Sequence, residues 1–404
     1  MTREVVLLGS TGSIGTQALE VISAHRAHFT VRALGAGGGD LELLARQAVD
    51  YRVEAVAVAR DCADELAALI TALLPTGTAL PEIFAGPDAA THIAGLYPSA
   101  TVLNGITGGV GLGPTLAALE AGSTLALANK ESLVVGGPLV RAAMQRAGQI
   151  IPVDSEHSAI AQALLSGVHE KGLTAPVVTG RSEVAALVLT ASGGPFRGKK
   201  RSDLAHVSAQ EALAHPTWNM GPVVTINSST LVNKGLELIE AHLLFDVAPD
   251  QIHTVIHPQS IVHSMVTWQD GSTIAQASPP DMRLPIALGM TWPQRLPDIE
   301  APLTWEAPQA WTFEPVDDHT FPAIALARQA VAASATHPAV YNAANEIFVD
   351  AFLREALPYL AIVDLLGQVL EEHDGVAQPD LADVMGAQEW ACSKARELVA
   401  QLGA

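Results

Sequence analysis

The sequence predicts an α/β chain that opens with a doubly wound sheet, continues through an α+β region and closes with a four-helix bundle. Three observations carry this. Short apolar runs alternate with helical patterns from residue 4 to residue 153, a glycine-rich loop separates the first run from the first helix, and four amphipathic helical segments fill residues 317–404. At 404 residues and 49% hydrophobic content the chain has material for two or three cores.

Glu4 to Leu8 is a short strand, Gly9-Ser10-Thr11-Gly12-Ser13-Ile14-Gly15 follows at once, and Thr16 to Ala24 has a helical period. Strand, glycine loop and helix is the order of a dinucleotide site: the glycines permit a tight turn and close approach, and the helix start receives the pyrophosphate. The G-x-x-G-x-x-G spacing is a variant of the commoner fingerprint. This makes the first sheet Rossmann-like. The second strand, Phe29 to Leu34, runs into Gly35-Ala36-Gly37-Gly38-Gly39-Asp40, near the expected adenosine ribose or equally a flexible turn. Alternation continues with helix 41–49, strand 55–58, helix 63–74, strand 82–84, helix 88–96, strand 101–103, helix 114–121 and strand 124–128. Asn129-Lys130-Glu131-Ser132 then lies beyond a strand's carboxyl end, the edge where such sheets bind ligands. Strand 150–153 finishes in Asp154-Ser155-Glu156-His157-Ser158 before a helix over 159–165. Two carboxylates at i and i+2 suit a hard divalent cation; the plainer alternative is N-capping by Asp154 or Ser155 with Glu156 favoured by the helix dipole. Glu237 is the candidate third carboxylate.

Beyond residue 170 a strand over 185–190 ends in Ser192-Gly193-Gly194, a second possible phosphate cradle. His215-Pro216-Thr217-Trp218-Asn219-Met220-Gly221 cannot form a regular helix and carries large side chains, as a mobile flap would. The hydroxyl run Ser228-Ser229-Thr230 predicts a helix start, with Asn233, Glu237 and Glu240 along one face and Lys234 beside them. A solvated amphipathic helix with a capped start is the plainer alternative. Strands 254–256 and 261–267 with a return over 271–276 make a mixed sheet; His257 and His263 on it read as structural donors or, less readily, catalytic groups. The proline-rich stretch 292–316 reads as an extended linker, and helices over 321–334, 337–354, 360–373 and 380–402 form the bundle. Asn342 to Glu346 read as packing contacts. The domain boundaries expected are therefore 1–153 for nucleotide binding, 154–291 for catalysis, 292–316 for the linker and 317–404 for the helical domain.

Lys+Arg of 22 against Asp+Glu of 42 gives a formal charge of −20, which argues against nucleic acid and anionic membrane as partners. An anionic substrate then needs a concentrated positive site. Two distant cysteines, Cys62 and Cys392, imply neither a disulfide framework nor a cysteine metal site. The start lacks a signal-peptide pattern and no apolar run reaches membrane-spanning length, so the expectation is a cytoplasmic protein.

With GSTGSIG at 9–15, ANKESLV at 128–134, PVDSEHSAI at 152–160, SGGPFR at 192–197, HPTWNMG at 215–221, NKGLELIEA at 233–241 and HPQSIVHSMV at 257–266, the chain resembles the 1-deoxy-D-xylulose 5-phosphate reductoisomerases over nearly its whole length. The resemblance implies a metal-dependent reductoisomerase of the non-mevalonate isoprenoid pathway that uses NADPH to make 2-C-methyl-D-erythritol 4-phosphate. It implies NADPH over Thr11, Gly12, Ser13 and Ile14, with Asn129, Glu131, Met220 and Gly221 in contact, and Mg²⁺ or Mn²⁺ on Asp154, Glu156 and Glu237. It places the phosphate of the sugar substrate on Ser192, Ser228, Asn233 and Lys234, and Lys130, Ser155, Glu156 and His215 against the sugar. Trp218 and Met220 match flap positions, Lys130, Glu156 and His215 are the expected catalytic residues, and the expected assembly is a homodimer. Where relatives usually carry a Lys or polar residue and Asn after the second strand, this chain has Gly38 and Gly39, next to Gly37. Reduced NADPH over NADH discrimination is the expectation from that change. The alternatives are a metal-independent sugar-phosphate dehydrogenase and a catalytically silent nucleotide-binding regulator.

Overall fold

The structure is a computed structural model and describes residues 2–218 and 220–402. In chain order the strands and helices are β1 (Arg3–Leu8), α1 (Ser13–Ala24), β2 (Phe29–Ala36), α2 (Leu41–Tyr51), β3 (Ala55–Val58), α3 (Ala63–Leu73), β4 (Glu82–Ala85), α4 (Ala89–Ala94), β5 (Thr101–Asn104), α5 (Leu112–Glu120), β6 (Thr124–Leu127), α6 (Lys130–Ala143), β7 (Ile150–Pro152) and α7 (Ser155–Leu164). They continue with β8 (Val184–Ala191), α8 (Ala209–Leu213), α9 (Pro222–Ser229), α10 (Val232–Phe245), β9 (Ile252–Ile256), β10 (Val262–Trp268), β11 (Thr273–Ala277), α11 (Arg283–Thr291), β12 (Glu314–Pro315), α12 (Ala323–Ala333), α13 (His337–Leu353), α14 (Tyr359–Glu371) and α15 (Leu381–Leu402). No helix among the described residues is long and apolar enough to cross a membrane.

The chain divides into two compact units. The first comprises Met1–Ser132, Val140–Ser158 and Asp281–Ala301. Its sheet has the order β4-β3-β2-β1-β5-β6-β7, all parallel, because each crossover is a helix that returns the chain to the same edge. The order reverses between β1 and β5, which opens the crevice beyond their carboxyl ends. Strands buried on both faces need no polar alternation, and Val5, Val6, Leu7 and the whole of Ala55–Val58 are buried accordingly. Segment 281–301, which the sequence reading divided between the catalytic domain and the linker, belongs to this unit. Its helix α11 buries Ile286, Ala287 and Met290 in the same core as Ala126 and Val153, and Gly289 is needed because a Cβ there would lie 2.6 Å from Val153 Cγ2. A run of prolines conceals such packing, since nothing local marks which core an apolar helix joins.

The second unit, Leu133–Leu139, Ala159–Pro280 and Pro302–Ala404, has a mixed sheet ordered β11-β10-β8-β9-β12 and the helices α12 to α15. β8 pairs parallel with β9 and antiparallel with β10, as the mixed-sheet reading expected. The stretch after α11 is mostly irregular, yet Glu314 and Pro315 pair with Ile256 and Val255 as a short edge strand. The four C-terminal helices fall within a few residues of their expected bounds, because their apolar stripes are long and periodic.

Two helix starts differ from expectation. α7 begins at Ser155, so Ser155 and Glu156 occupy its first turn, with the Asp154 carbonyl accepting Ser158 N at 2.8 Å. The hydroxyl run at 228–230 ends a helix instead of beginning one. Pro222 at the first position of α9 fixes φ for helix entry. Ser229 Oγ and Thr230 Oγ1 both donate back to Ile226 O, at 2.7 and 3.2 Å, and Leu231 (φ +60) breaks the chain before α10. Ser and Thr can bond backward within a helix as readily as they cap its start, which is why the pattern misled.

Candidate active site

The glycine loop of the first unit is defined by close backbone approach. Gly9 (φ +83) lies under Gly105, whose carbonyl oxygen would be 2.7 Å from an added Cβ, and Gly15 packs on Gly9 O with only 2.3 Å to spare for one. Gly9 N and Ser10 N both donate to Gly35 O, and Gln47 Nε2 from α2 donates to Ser10 O at 3.0 Å. Gly12 caps α1 without any side-chain bond, and no acidic residue lies in the first turn. Gly12 N is spent within the loop, donating to Gly9 O at 3.0 Å, so the uncapped start of α1 at Ser13 and Ile14, with Thr11 before it, offers the N–H groups and the positive dipole end of a cradle that fits a pyrophosphate. Of the three glycines after β2, Gly37 and Gly39 are exposed with open space around them, whereas Gly38 is buried.

Asn129 caps α6, accepting Ser132 N on Oδ1 at 2.8 Å, while its Nδ2 donates to Gly108 O at 3.0 Å and to Glu131 Oε2 at 3.1 Å. Burial raises the Glu131 carboxyl above its ordinary pKa. Lys130 Nζ meets Asp154 Oδ2 at 2.8 Å, and His157 Nδ1 lies 3.5 Å from the same oxygen. Burial alone would raise Asp154, but Lys130 and His157 outweigh it and hold the carboxyl well below the usual carboxylate range. Asp154 is thus an anion at neutral pH. Ser155 Oγ donates to Glu156 Oε2 at 2.5 Å. Asp154 just before α7 and Glu156 in its first turn offer the carboxylate oxygens that a hard divalent cation takes.

In the second unit the Ser192 turn is built on Gly193 (φ +87) and Gly194 (φ +64), and a Cβ on Gly194 would lie 3.1 Å from Ser228 O. Ser192 and Ser228 are thereby held on adjoining backbone. At the start of α10, Asn233 Nδ2 and Lys234 Nζ each donate to Glu237, one to each oxygen, and Lys234 and Glu237 are 4% and 1% exposed. Burial this deep is tolerable only because the charges pair. Glu240, one turn on, is fully buried.

His215 ties the flap to Ser192. Its Nδ1 accepts from Trp218 N at 2.9 Å and Thr217 N at 3.2 Å, so the proton must sit on Nε2, which reaches Ser192 Oγ at 3.0 Å. Burial lowers the His215 pKa, in keeping with this neutral tautomer. Ser192 Oγ also accepts Gly194 N at 3.2 Å, leaving its own hydrogen to donate elsewhere. His215, Trp218 and Met220 line a cavity of about 340 Å³ with Leu213, Pro216 and Thr225, and the Trp218 ring packs edge-on against His263. Gly221 caps α9; Asn219 of the flap motif lies outside the described residues.

His257 is a structural clamp. Its Nε2 accepts Ile261 N and Val262 N at 3.2 and 3.1 Å, its Nδ1 donates to Thr312 O at 2.9 Å, and it is fully buried. The sequence reading missed how α9 is held from behind: Asn345 Nδ2 of α13 donates to Asn227 Oδ1 at 2.9 Å, and Tyr359 Oη of α14 donates to Ser229 O at 2.7 Å. The polar spacing of Asn342 to Glu346 was the available signal for the first of these.

Comparison with known proteins places this architecture. Residues 5–137 match the family model described as 1-deoxy-D-xylulose 5-phosphate reductoisomerase, residues 150–245 its C-terminal domain, and residues 277–394 the DXP reductoisomerase C-terminal domain. A 1-deoxy-D-xylulose 5-phosphate reductoisomerase of Beutenbergia cavernae is 61% identical over 402 residues, covering 98% of both chains, and that of Kitasatospora griseola is 56% identical, covering 98% of this chain and 100% of its own. The solved reductoisomerase from Zymomonas mobilis in complex with NADPH superposes with a TM-score of 0.87 at 35% identity, covering 99% of each chain. A DOX-P reductoisomerase in complex with NADPH, fosmidomycin and magnesium gives 0.89 at 32%, again over 99% of each. Full-length identity of this order, joined to superposition over 99% of each chain, makes the chain a member of the 1-deoxy-D-xylulose 5-phosphate reductoisomerase family.

Proposed function

We propose that the chain converts 1-deoxy-D-xylulose 5-phosphate and NADPH to 2-C-methyl-D-erythritol 4-phosphate and NADP⁺, as a metal-dependent reductoisomerase of isoprenoid biosynthesis. The observation that carries this is the corner of the second unit where the Ser192 turn rests on Ser228, beside Asn233, Lys234 and Glu237. Hydroxyls, an amide and a buried ammonium are the donors that a phosphate monoester needs, and a chain of charge −20 offers few such places.

In this reading Thr11, Gly12, Ser13 and Ile14 hold the pyrophosphate, with Gly37, Gly38 and Gly39 at the adenosine end and Asn129, Glu131, Met220 and Gly221 along the rest of NADPH. Asp154, Glu156 and Glu237 hold Mg²⁺ or Mn²⁺. When bound, the metal supplies Lewis-acid polarisation and orientation of the sugar oxygens, and NADPH supplies the hydride. Ser192, Ser228, Asn233 and Lys234 grip the substrate phosphate, and that remote binding energy drives flap closure. Trp218 and Met220 then exclude water. Lys130 stabilises negative charge as it develops on the sugar oxygens, while Ser155, Glu156 and His215 orient the hydroxyls. Glu240 supports Glu237 from the following turn.

Nucleotide binding is assigned to residues 1–153 and catalysis to the segment that follows. The working assembly is a homodimer through the second unit, supported by β11, an edge strand whose Thr273, Ile274 and Ala275 are exposed. The setting is the cytoplasm. NADPH oxidation measured with 1-deoxy-D-xylulose 5-phosphate, with and without Mg²⁺, tests the activity: turnover that survives complete chelation refutes the metal assignment. Light scattering tests the dimer.

A further inference from the structure

In a sheet of this order the end of β2 faces the adenosine ribose, and there NAD and NADP are distinguished: a carboxylate takes the free 2′-hydroxyl, whereas a nearby Arg accommodates the 2′-phosphate. β2 ends at Ala36, and the following Gly37, Gly38 and Gly39 bring no polar side chain. The next carboxylate, Asp40, is already engaged, because its Oδ1 accepts Leu43 N at 2.9 Å and caps α2. Nothing in β2 or its turn therefore reads the 2′ position.

The neighbouring strand supplies what β2 lacks. Arg60 stands two residues beyond the end of β3, and its stem lies on Gly38: an added Cβ there would be 2.9 Å from Val58 Cγ2 and 3.0 Å from Arg60 Cδ. Gly38 has φ +90, so glycine is required both for the backbone and for the space the arginine fills. Arg60 Nη1 donates to Gly38 O at 2.9 Å, which fixes the guanidinium over the turn. That bond uses one of five N–H donors. Arg60 is exposed and, among the described residues, forms no ion pair, while Gly37 and Gly39 on either side leave the approach open.

We propose that Arg60, anchored on Gly38, binds the 2′-phosphate of NADPH and sets the preference for NADPH over NADH. The three glycines are then not a loss of discrimination, as their lack of side chains suggested, but the floor on which a charge from the next strand rests. The proposal rests on the NADPH reading above and concerns only its adenosine end.

Equilibrium binding of NADPH, NADH and 2′,5′-ADP to the wild type, Arg60→Ala and Arg60→Lys, by calorimetry in the absence of substrate, tests it. A charge-assisted contact of this kind predicts that Arg60→Ala weakens NADPH and 2′,5′-ADP by about 10- to 100-fold and leaves NADH within about two-fold, with Arg60→Lys between. Gly38→Ala, which displaces the arginine stem, should reproduce the selective loss. Equal weakening of NADPH and NADH in Arg60→Ala would mean that the arginine only props the turn, and would overturn the proposal; so would an unchanged ratio, or a wild type without preference. A wild type that bound neither nucleotide would overturn the NADPH assignment itself.

Discussion

The glycine loop of the first unit and the α9–α10 corner of the second both gather glycines, hydroxyls and backbone amides, but they are held in opposite ways. The loop is set largely by its immediate neighbours in the sheet: Gly9 against Gly105, Gly15 against Gly9 and Ser10, and hydrogen bonds from Gly9 and Ser10 to Gly35. The corner is set by residues more than a hundred positions away. Gly235 admits Tyr341 Oη, which donates to Ala323 O, Asn227 is held by Asn345, and Ser229 by Tyr359. The loop can be damaged from within or from the strands and helix that adjoin it, whereas the corner can also be damaged from C-terminal helices more than a hundred residues away.

The largest effect expected is at the corner's own carboxylate. Glu237→Gln should lower metal-dependent turnover by on the order of 10³-fold or more while leaving NADPH affinity intact, since the amide is a poorer ligand and no longer pairs with Lys234; steady-state rates across a Mg²⁺ titration, beside NADPH calorimetry, decide it, and retained activity would remove Glu237 from the metal site.

Two glycines, Gly15 in the loop and Gly235 in the corner, separate the two kinds of support. Gly15→Ala must push backbone against backbone, so thermal unfolding should show a loss of about 2–4 kcal/mol together with lost NADPH binding. Gly235→Ala meets a tyrosine hydroxyl 2.4 Å from the new Cβ, a side-chain clash costing about 1–3 kcal/mol, and Tyr341→Phe in the same chain should recover part of it. If no distant change relieves Gly235→Ala, the corner is as local as the loop.

A smaller effect is expected from Asn345→Ala. It removes the donor to Asn227, loosens α9 beneath Ser228, and should raise KM for the phosphorylated substrate about ten-fold with kcat nearly kept and NADPH affinity unchanged. A fall in kcat alone would place its role elsewhere.

The smallest concerns pH. Because burial lowers the His215 pKa and its Nδ1 accepts two backbone amides, the ordered flap binds a proton less readily than the disordered one, whose His titrates near the ordinary value of about 6.5. The flap's stability is therefore complete above about 6.5 and declines as pH falls from there toward the lower pKa of the ordered state. Substrate affinity measured from about pH 5 to 7.5 should weaken toward acid, with a midpoint below 6.5; affinity that rises toward acid would contradict the neutral tautomer.

Much of the frame was legible. Alternating apolar runs and helical stripes located every strand of the first sheet and the four C-terminal helices to within a few residues. The chemistry at strand ends was legible too, since Asn129, Lys130, Asp154 and Glu156 follow strands directly. What was not legible has specific causes. Ser228 to Thr230 looked like a helix start because hydroxyl residues serve either end, and only Pro222 and the left-handed Leu231 show which. Helix α11 carries an apolar face that any core could bury. Arg60 lies in no motif, and its relation to Gly38 depends on β2 and β3 being neighbours.

The sequence by itself determined the Rossmann-like order, the glycine loop, the acidic turn and the helical bundle, because each is written in residues close along the chain. Tertiary structure alone decided which core receives α11, which proton His215 carries, which helices brace Asn227 and Ser229, and that Arg60 covers Gly38. Those depend on side chains from separate elements meeting at hydrogen-bonding distance, and periodicity records which face of an element is buried but not what it is buried against.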